Sequence, residues 1–201
     1  MLEGRKLLEL CSGTRSASKV WESMGGTAVS VDSNPNLTAS WTIDILSWSK
    51  RAWIEFLKRE GPFDFVWASP DCKCFSIANG RQFEANWGKY TGSFIPMSEE
   101  AKLACELVKR CIWIAEQNYF NADWGYWVVE NPRGLLRKMN WMKRHQRDLV
   151  TYCQYGDTRM KPTDLWGIFP RTWNGKSCKN GAPCHEGAPR GSTGGTIGLT
   201  Y

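Results

Sequence analysis

The chain has 201 residues, of which 42% are apolar, and it carries a formal net charge of +6. This length suits about one domain with a real core, and no apolar stretch approaches the roughly 20 residues of a membrane-spanning helix. The N-terminus lacks the apolar segment of a secretory signal, which predicts a cytoplasmic protein. Its eight cysteines are then thiols, metal ligands or a nucleophile rather than disulfides. The basic excess and the 12 tryptophans are compatible with a polyanionic partner but do not prove one.

The first part of the chain alternates short apolar runs with helical patterns. The predicted strands are residues 6–10, 27–31 and 63–68, with a weaker element at 41–46. The predicted helices are residues 16–24 and 49–59, and glycine or Gly-Pro follows each of them as a stop signal.

The second part continues this alternation. Its elements are a long helix at residues 98–118, a strand at 125–129, a polar helix at 138–147 and a strand at 149–154. Ser98 is a plausible N-cap, and one face of the long helix holds Leu103, Leu107, Cys111 and Ile114. Strands alternating with helices predict an α/β, Rossmann-like fold with a doubly wound, mostly parallel sheet. We expect this domain to span residues 1–169, followed by an irregular tail rich in Gly, Pro and Cys at 170–201.

A loop follows the first predicted strand and opens a helix; its residues are Cys11, Ser12, Gly13 and Thr14. A glycine there lets a ligand approach the backbone, and the helix N-terminus offers N–H groups. Asp32 ends the second strand about 20 residues on, which suits a carboxylate that binds ribose hydroxyls. Together they predict a nucleoside cofactor, although many strand-to-helix turns carry glycine for geometry alone.

A second loop follows the strand at 63–68 and reads Ser69, Pro70, Asp71, Cys72. In open α/β sheets, ligands bind outside the carboxyl ends of the strands. A thiol behind a rigid proline is well placed there for chemistry. The alternative is a turn with a buried structural cysteine.

This loop resembles the catalytic loop of DNA cytosine-5 methyltransferases. Residues 130–132 (Glu-Asn-Pro) resemble the family's Glu-Asn-Val element, and Arg159 and Lys161 resemble its later pair of basic residues. Asp44 looks like the acid that accepts from the adenine amino group. The ordered set covers roughly residues 6–165, and the chain looks like a group of short phage-encoded homologues of the family.

The resemblance implies roles for particular residues. S-adenosylmethionine would be held by the two loops and two acids: Cys11, Ser12, Gly13, Thr14, Asp32, Asp44, Ser69 and Pro70. Cys72 would add to cytosine C6, Glu130 would protonate N3, and Arg159 would donate to the base carbonyl. The chain departs from the family at Arg15 and Ser16, where glycines are common, and at Asp71, whose carboxylate should disfavour a thiolate.

DNA is the expected partner. Candidate backbone contacts are Arg133, Arg137, Lys138, Arg144 and Lys161, together with Lys143 and Arg147; an equally weighted alternative for the 133–147 stretch is a solvated helix face. About 40 residues follow Lys161, fewer than the family's target-recognition region. We therefore expect low sequence specificity, or a protein partner that supplies recognition.

The tail contains a candidate zinc site formed by Cys178, Cys184 and His185, with Cys153 as the fourth ligand. The alternative is a free-thiol loop in which His185 binds a phosphate.

Two other functions stay open. Enzymes that methylate exocyclic amino groups share a Ser-Pro start at this strand end, but they need neither Cys72 nor Glu130. A non-catalytic DNA-binding or anti-restriction decoy with the same fold would be consistent with Asp71 and the missing glycines.

Overall fold

The computed structural model describes residues 1–77, 82–86, 93–121 and 125–186. Its strands are β1 (Lys6–Leu10), β2 (Thr27–Asp32), β3 (Trp41–Thr42), β4 (Phe65–Ala68), β5 (Phe83–Asn86), β6 (Ser93–Pro96), β7 (Tyr126–Pro132), β8 (Arg147–Thr151) and β9 (Pro162–Ile168). Its helices are α1 (Ser16–Ser23), α2 (Lys50–Glu60) and α3 (Glu99–Asn121). Short 3-10 turns occupy Lys73–Phe75, Leu135–Lys138, Asn140–Met142 and Tyr152–Tyr155.

Seven of the strands form one sheet in the order β3-β2-β1-β4-β7-β9-β8. The strands from β3 to β7 run parallel to one another, whereas β9 is antiparallel to both of its neighbours. The remaining two, β5 and β6, pair as an antiparallel hairpin. This arrangement confirms the predicted mostly parallel sheet. It also brings the carboxyl ends of β1, β4 and β7 to one edge, where their following loops meet.

Helices α2 and α3 cover one face of the sheet and bury the main core. Both helices begin at the predicted kind of cap: Ser49 Oγ accepts from Ala52 N at 3.1 Å, and Ser98 Oγ accepts from Ala101 N at 3.0 Å. The predicted apolar face of α3 is partly wrong, because Leu103 is 59% exposed. The buried face instead contains the set Ala101, Cys105, Val108, Cys111, Ile112, Ile114 and Ala115.

The opposite face is covered by α1 and by the chain that follows β9. Val128, Val150 and Leu165 are buried there, with Phe65, Trp67 and Phe169 packed against them. Phe169 also stacks on Trp173 at a ring separation of 5.7 Å. Helices therefore lie on both faces, as in a doubly wound fold.

The structure corrects several of the predicted elements. The predicted helix at 138–147 is wrong: the segment holds 3-10 turns and then enters β8 at Arg147. The strand predicted at 149–154 ends at Thr151, and a 3-10 turn follows it. The third element is a strand only at Trp41–Thr42. Strand β9 was not predicted at all, although it joins β7 to β8.

Residues 170–186 of the predicted tail form no helix or strand, and residues 187–201 lie outside the described part of the chain. Among the residues that the structure describes, no helix is both long enough and apolar enough to cross a membrane.

Candidate active site

The loop after β1 is shaped by three left-handed residues. Cys11, Gly13 and Arg15 have φ values of 54°, 49° and 61°. Only glycine adopts this conformation without strain. Arg15 therefore takes the backbone shape of the glycine that is common there in the family, and its side chain pairs with Glu22 at 2.6 Å.

The acid at the end of β2 is tied to this loop. Asp32 Oδ2 accepts from Gly13 N at 2.8 Å, and Asp32 Oδ1 accepts from Asn34 N at 2.9 Å. Each carboxylate oxygen has a second lone pair, so both can still accept from a ribose. The structure thus brings the predicted glycine and the predicted acid together.

Glu9 is a residue whose role was not predicted. It is only 3% exposed, and its carboxylate accepts from Ala17 N at 3.2 Å and from Ser18 N at 2.8 Å. The Ser18 hydroxyl also donates to it. Glu9 therefore occupies the α1 N-terminus, and the expectation that this end offers free N–H groups to a ligand is wrong at Ala17 and Ser18.

Asp44 is exposed and makes a local turn, with its Oδ1 accepting from Leu46 N at 2.9 Å. Its charge, like that of Asp32, is a minor cause of the raised pKa of the Cys11 thiol. The larger causes of that rise are the contact with Cys111, at 4.0 Å between the sulfurs, and burial.

A groove of about 1180 Å³ extends from the first loop to Glu130. It contains five of the predicted cofactor residues: Cys11, Ser12, Gly13, Thr14 and Ser69. Asp32, Asp44 and Pro70 lie outside its lining. The buried hydroxyl of Ser12 has no hydrogen-bond partner among the described residues, so it can bind a polar group in the groove. On the far side the groove is lined by Tyr152, Tyr155 and Asp157.

The loop after β4 is held from both sides. Ser69 N donates to Leu10 O at 3.1 Å, and Asn131 Nδ2 donates to Pro70 O at 3.1 Å. Asp71 is exposed, and its Oδ1 accepts from Lys73 N at 3.0 Å, which caps the following 3-10 turn. Cys72 is thereby fixed, half-buried, just beyond the end of β4.

The pKa of the Cys72 thiol is raised, first by burial and then by the charge of Asp71. The charge of Glu130 raises this pKa further, whereas Lys161 lowers it. The expected unfavourable effect of Asp71 is present, and Lys161 opposes it.

Glu130 lies within β7 and is 9% exposed. Burial raises the pKa of its carboxyl, while Lys161, Tyr152 and Ser69 lower it. Tyr152 donates its hydroxyl to Glu130 Oε1 at 3.3 Å, and Lys161 Nζ lies 4.6 Å from the centre of the Tyr152 ring. A raised pKa increases the protonated fraction of Glu130, which suits a proton donor.

Arg159 lies on the loop that follows the turn carrying Tyr152. Its Nε and Nη2 donate to Asp157 at 3.0 and 2.7 Å, and its main-chain N also donates to Asp157. The structure therefore brings Glu130 and Lys161 together around Tyr152, but the Arg159 guanidinium, which was predicted to bind the base, is paired with Asp157. Neither Tyr152 nor Asp157 was predicted.

Most of the predicted DNA contacts surround a basic cleft of about 680 Å³, lined by Arg133, Arg137, Lys138, Lys143, His145 and Arg147 and by the exposed Ile77. Lys161 is not among its lining residues and lies over the Tyr152 ring instead. Arg144 is exposed beside the cleft and donates to His145. Arg137 is different, because its side chain is 16% exposed and lies 3.1 Å from Oδ1 of the fully buried Asp164. Part of its charge is therefore already neutralised within the protein.

The cleft is joined to the Cys72 loop at Gly134. A Cβ built on Gly134 would lie 2.3 Å from the carbonyl oxygen of Phe75. A glycine is needed here because the two main chains approach so closely.

The four predicted metal ligands meet at one point. The ligand atoms of Cys153, Cys178, Cys184 and His185 all lie within 4.8 Å of one another. All four are among the residues that the structure describes, and the cysteines are free thiols.

Comparison with known proteins agrees with the architecture. The chain superimposes on a prophage-encoded protein of E. coli, described as a DNA modification methyltransferase, with a TM-score of 0.54, 12% identity and coverage of 82% of this chain and 46% of that one. It superimposes on a DNMT2 mutant of Spodoptera frugiperda with a TM-score of 0.51, 18% identity and coverage of 87% and 53%. The chain thus spans about half the length of these solved structures. The fold is that of a Rossmann-like methyltransferase.

The family follows from a sequence relative. The chain is 32% identical over 183 residues to the Frog virus 3 protein named "Probable DNA (cytosine-5)-methyltransferase", covering 87% of this chain and 78% of the viral one. No protein-family model matches the chain. The chain belongs to the DNA (cytosine-5)-methyltransferase family.

Proposed function

We propose that this chain transfers a methyl group from S-adenosylmethionine to C5 of cytosine in DNA, with Cys72 as the nucleophile. The observation that carries this proposal is that the Cys72 loop is hydrogen-bonded through Pro70 to Asn131, the neighbour of Glu130, while Lys161 lies over the Tyr152 ring that contacts Glu130. Glu130 is close enough to influence the pKa of the Cys72 thiol, and Lys161 lowers the pKa of both groups. The raised pKa of the Glu130 carboxyl suits the acid that this reaction needs, and the charge of Lys161 offsets part of the rise in the Cys72 pKa, which favours the nucleophilic thiolate.

The first loop and its groove fit the cofactor. Gly13 leaves the backbone open to close approach, since nothing lies within 4 Å of a Cβ built there. The partnerless Ser12 hydroxyl and the remaining lone pairs of Asp32 offer polar contacts to the amino acid and ribose parts. When bound, the cofactor supplies an electrophilic methyl group on a positively charged sulfur.

The protein's part of the chemistry lies at the base. The Cys72 thiolate would add to C6 while the Glu130 carboxylic acid gives its proton to N3, which leaves C5 with the electron pair that bonds to the methyl carbon as the methyl–sulfur bond of the cofactor breaks. Loss of the C5 proton to solvent would then re-form the C5–C6 double bond, expel the Cys72 sulfur as a thiolate and return the N3 proton to Glu130. Lys161 helps form the thiolate, and Arg159 would donate to the base carbonyl.

The basic cleft would hold the DNA backbone beside Cys72. Arg133, Lys138, Lys143 and Arg144 present cations there without a built set of groups for reading base edges, so phosphate contacts dominate. Low sequence specificity of the chain alone, and a protein partner that adds target recognition, belong to this proposal. A cytoplasmic location stays a prediction.

A covalent trap tests the mechanism. DNA containing 5-fluorocytosine cannot lose a proton from C5, so the Cys72–C6 bond persists after transfer and a protein–DNA adduct survives denaturation. Wild type and Cys105→Ala should form the adduct in the presence of S-adenosylmethionine, and Cys72→Ala should not. Cys105 is a suitable control because it is a thiol buried in α3, on a separate element.

The same experiment separates the alternatives. The raised pKa of Cys72 beside Asp71 favours the non-catalytic decoy, which would bind DNA without any adduct. Methylation that survives Cys72→Ala would indicate transfer to an exocyclic amino group.

Cofactor binding is tested independently by calorimetry with S-adenosylhomocysteine. Asp32→Ala should weaken binding by about 1.5–3 kcal/mol, the usual loss for hydrogen bonds to a charged group. Asp64→Ala is the control, because Asp64 also accepts from a main-chain N–H, that of Lys6, but lies at the opposite end of β1. Equal binding by wild type and Asp32→Ala would contradict the ribose assignment.

A further inference from the structure

The four candidate metal ligands converge near the spacing of a tetrahedral site, with the Cys153–Cys178 sulfurs closer together than zinc ligation would place them. Cys153 Sγ lies 3.2 Å from Cys178 Sγ and 3.7 Å from Cys184 Sγ. His185 Nδ1 lies 3.6 Å from both Cys178 Sγ and Cys184 Sγ. Zn–S bonds of about 2.3 Å and Zn–N bonds of about 2.0–2.1 Å at tetrahedral angles place sulfurs about 3.8 Å apart and sulfur and nitrogen about 3.5 Å apart.

We propose that Cys153, Cys178, Cys184 and His185 bind a zinc ion, and that this ion fixes the tail to the turn that carries Tyr152. Three thiolates and one imidazole fill four coordination positions, so the site is closed and structural rather than catalytic. The metal site stands independently of the proposed function, whereas its influence on Glu130 through Tyr152 rests on that function.

The tail needs such a link because it has no core of its own. None of residues 171–186 is buried, and none belongs to a helix or a strand. Two main-chain hydrogen bonds connect the tail to the domain: Thr151 N donates to Lys176 O at 3.1 Å, and Glu186 N donates to Thr158 O at 3.0 Å. A segment without buried apolar surface is ordered most readily by a metal or a disulfide.

A disulfide explains the cluster less well. The sulfurs of Cys153 and Cys178, at 3.2 Å, are further apart than the bonded distance of about 2.05 Å. A disulfide would also leave the third thiol and the imidazole without a reason to converge. Thr151 supports the ligand arrangement instead: its Oγ1 lies 3.4 Å from Cys178 Sγ and accepts from Cys178 N at 3.0 Å.

The ion would connect the tail to the groove through one turn. Cys153 sits in the 3-10 turn Tyr152–Tyr155. In the same turn, Tyr152 donates to Glu130, and Tyr155 lines the groove and accepts from Lys176 N at 2.9 Å. Holding Cys153 therefore holds Tyr152 against Glu130.

The metal itself is tested on the purified full chain by elemental analysis and by titration with Zn²⁺ alone under reducing conditions, in competition with a chromogenic chelator. We expect one zinc per chain and a Kd below about 100 nM at pH 7, as for structural sites. Cys178→Ser and Cys184→Ser should lose the metal, whereas Cys72→Ser, a half-exposed thiol outside the cluster, should retain it. Replacement by Co²⁺ should give thiolate charge-transfer and tetrahedral d–d absorption bands.

The structural role is tested by limited trypsin digestion with and without chelator. Trypsin should cut after Lys176 or Lys179 quickly once zinc is removed and slowly when it is bound, while the domain stays intact. Wild-type protein that binds no Zn²⁺, a Cys153–Cys178 disulfide in mass spectra of the unreduced protein, or a cleavage rate that chelation does not change would each overturn the proposal. These results are independent of methyl transfer, so they are distinguishable from a failure of the proposed function.

Discussion

Asn131 donates its side-chain amide to the carbonyl oxygen of Pro70 at 3.1 Å, and both residues are buried. This one hydrogen bond joins the end of β7, which carries Glu130, to the loop that carries Cys72. The distance between nucleophile and acid therefore depends on a residue that takes no part in proton or methyl transfer.

Asn131→Ala should remove this link and leave the Pro70 carbonyl without its partner. We expect a loss of stability of about 1–3 kcal/mol, and a fall in the rate of methyl transfer measured well below the melting temperature. Asn118→Ala is the matched control, because Asn118 is equally buried and bonds both the N–H and the carbonyl of Phe63, at 3.1 and 2.9 Å, far from Cys72. It should lose stability but keep its turnover rate. If the two variants lose activity in proportion to their stability, Asn131 has no positioning role.

Asp71→Asn should lower the pKa of Cys72, since the charge of Asp71 raises it. A lower pKa increases the thiolate fraction at any pH below it, so alkylation of Cys72 by iodoacetamide should become faster and its pH profile should move to lower pH. Asparagine keeps an oxygen that can accept from Lys73 N, so the turn is preserved.

Lys161→Gln should move the pH profile of Cys72 alkylation in the opposite direction, because Lys161 lowers the pKa of the Cys72 thiol. Peptide-level mass spectrometry measures the alkylation of Cys72 separately from that of the other thiols. An unchanged pH profile in both Asp71→Asn and Lys161→Gln would show that these two charges do not set the pKa of Cys72.

Gly134→Ala should separate the basic cleft from the Cys72 loop. The φ of Gly134 is −158°, which alanine tolerates, so the cost is the 2.3 Å approach of its Cβ to Phe75 O. We expect a destabilisation of about 1–3 kcal/mol from this overpacking and weak methylation of DNA. Gly4→Ala provides the contrast: its φ is +76° but nothing lies within 4 Å of the added Cβ. That variant should lose about 1 kcal/mol through backbone strain alone and keep its activity, as assays of thermal unfolding and methyl transfer will show.

Lys138→Gln combined with Lys143→Gln should weaken DNA binding and reduce its dependence on salt. Each phosphate contact contributes about 0.9 to the slope of log K against log salt, so the slope should fall by nearly two. Lys19→Gln with Arg51→Gln removes the same charge from α1 and α2 and should change the slope little. Fluorescence anisotropy over a salt series measures both. An unchanged slope in the first pair would place the DNA elsewhere.

Arg137 is left out of that variant for a physical reason. It lies 3.1 Å from the buried Asp164, whose pKa is raised by burial, and Arg147 lies 3.6 Å from the same oxygen. Removing Arg137 would leave a buried carboxylate less compensated, so its effect on DNA binding would be mixed with a loss of stability.

The sequence alone predicted the positions of the loops that carry the candidate catalytic and cofactor-binding residues. Cys72 and Glu130 follow or end apolar runs, and parallel strands bring their carboxyl ends to one edge of the sheet. The glycine and acid of the cofactor half, Gly13 and Asp32, were predicted by the same logic and are hydrogen-bonded to each other. The role of their neighbour Glu9 at the α1 N-terminus was not predicted, because that role appears only when α1 packs over it.

The segment at residues 138–147 was wrongly predicted to be an α-helix because the prediction rested on its polarity alone. Leu136, Met139 and Met142 are all buried at intervals of three residues, and that spacing matches a 3-10 period rather than 3.6. The omission of β9 has a different cause. It contains Pro162, Asp164 and Gly167, which strands normally disfavour, and only pairing with β7 and β8 makes it extended. Such a strand is specified by its neighbours, not by its own composition.

The contact between Tyr152 and Glu130 has a consequence for the order of events at the base. The Tyr152 hydroxyl lies 3.3 Å from Glu130 Oε1 and is therefore a weak donor. It nevertheless gives the buried Glu130 carboxyl a hydrogen-bond partner before a substrate arrives. Under the proposed mechanism, a cytosine would meet this carboxyl through N3, and Tyr152 engages only its Oε1. Tyr152 would then hold the Glu130 side chain in place before the base enters, so that the acid is already oriented when N3 arrives.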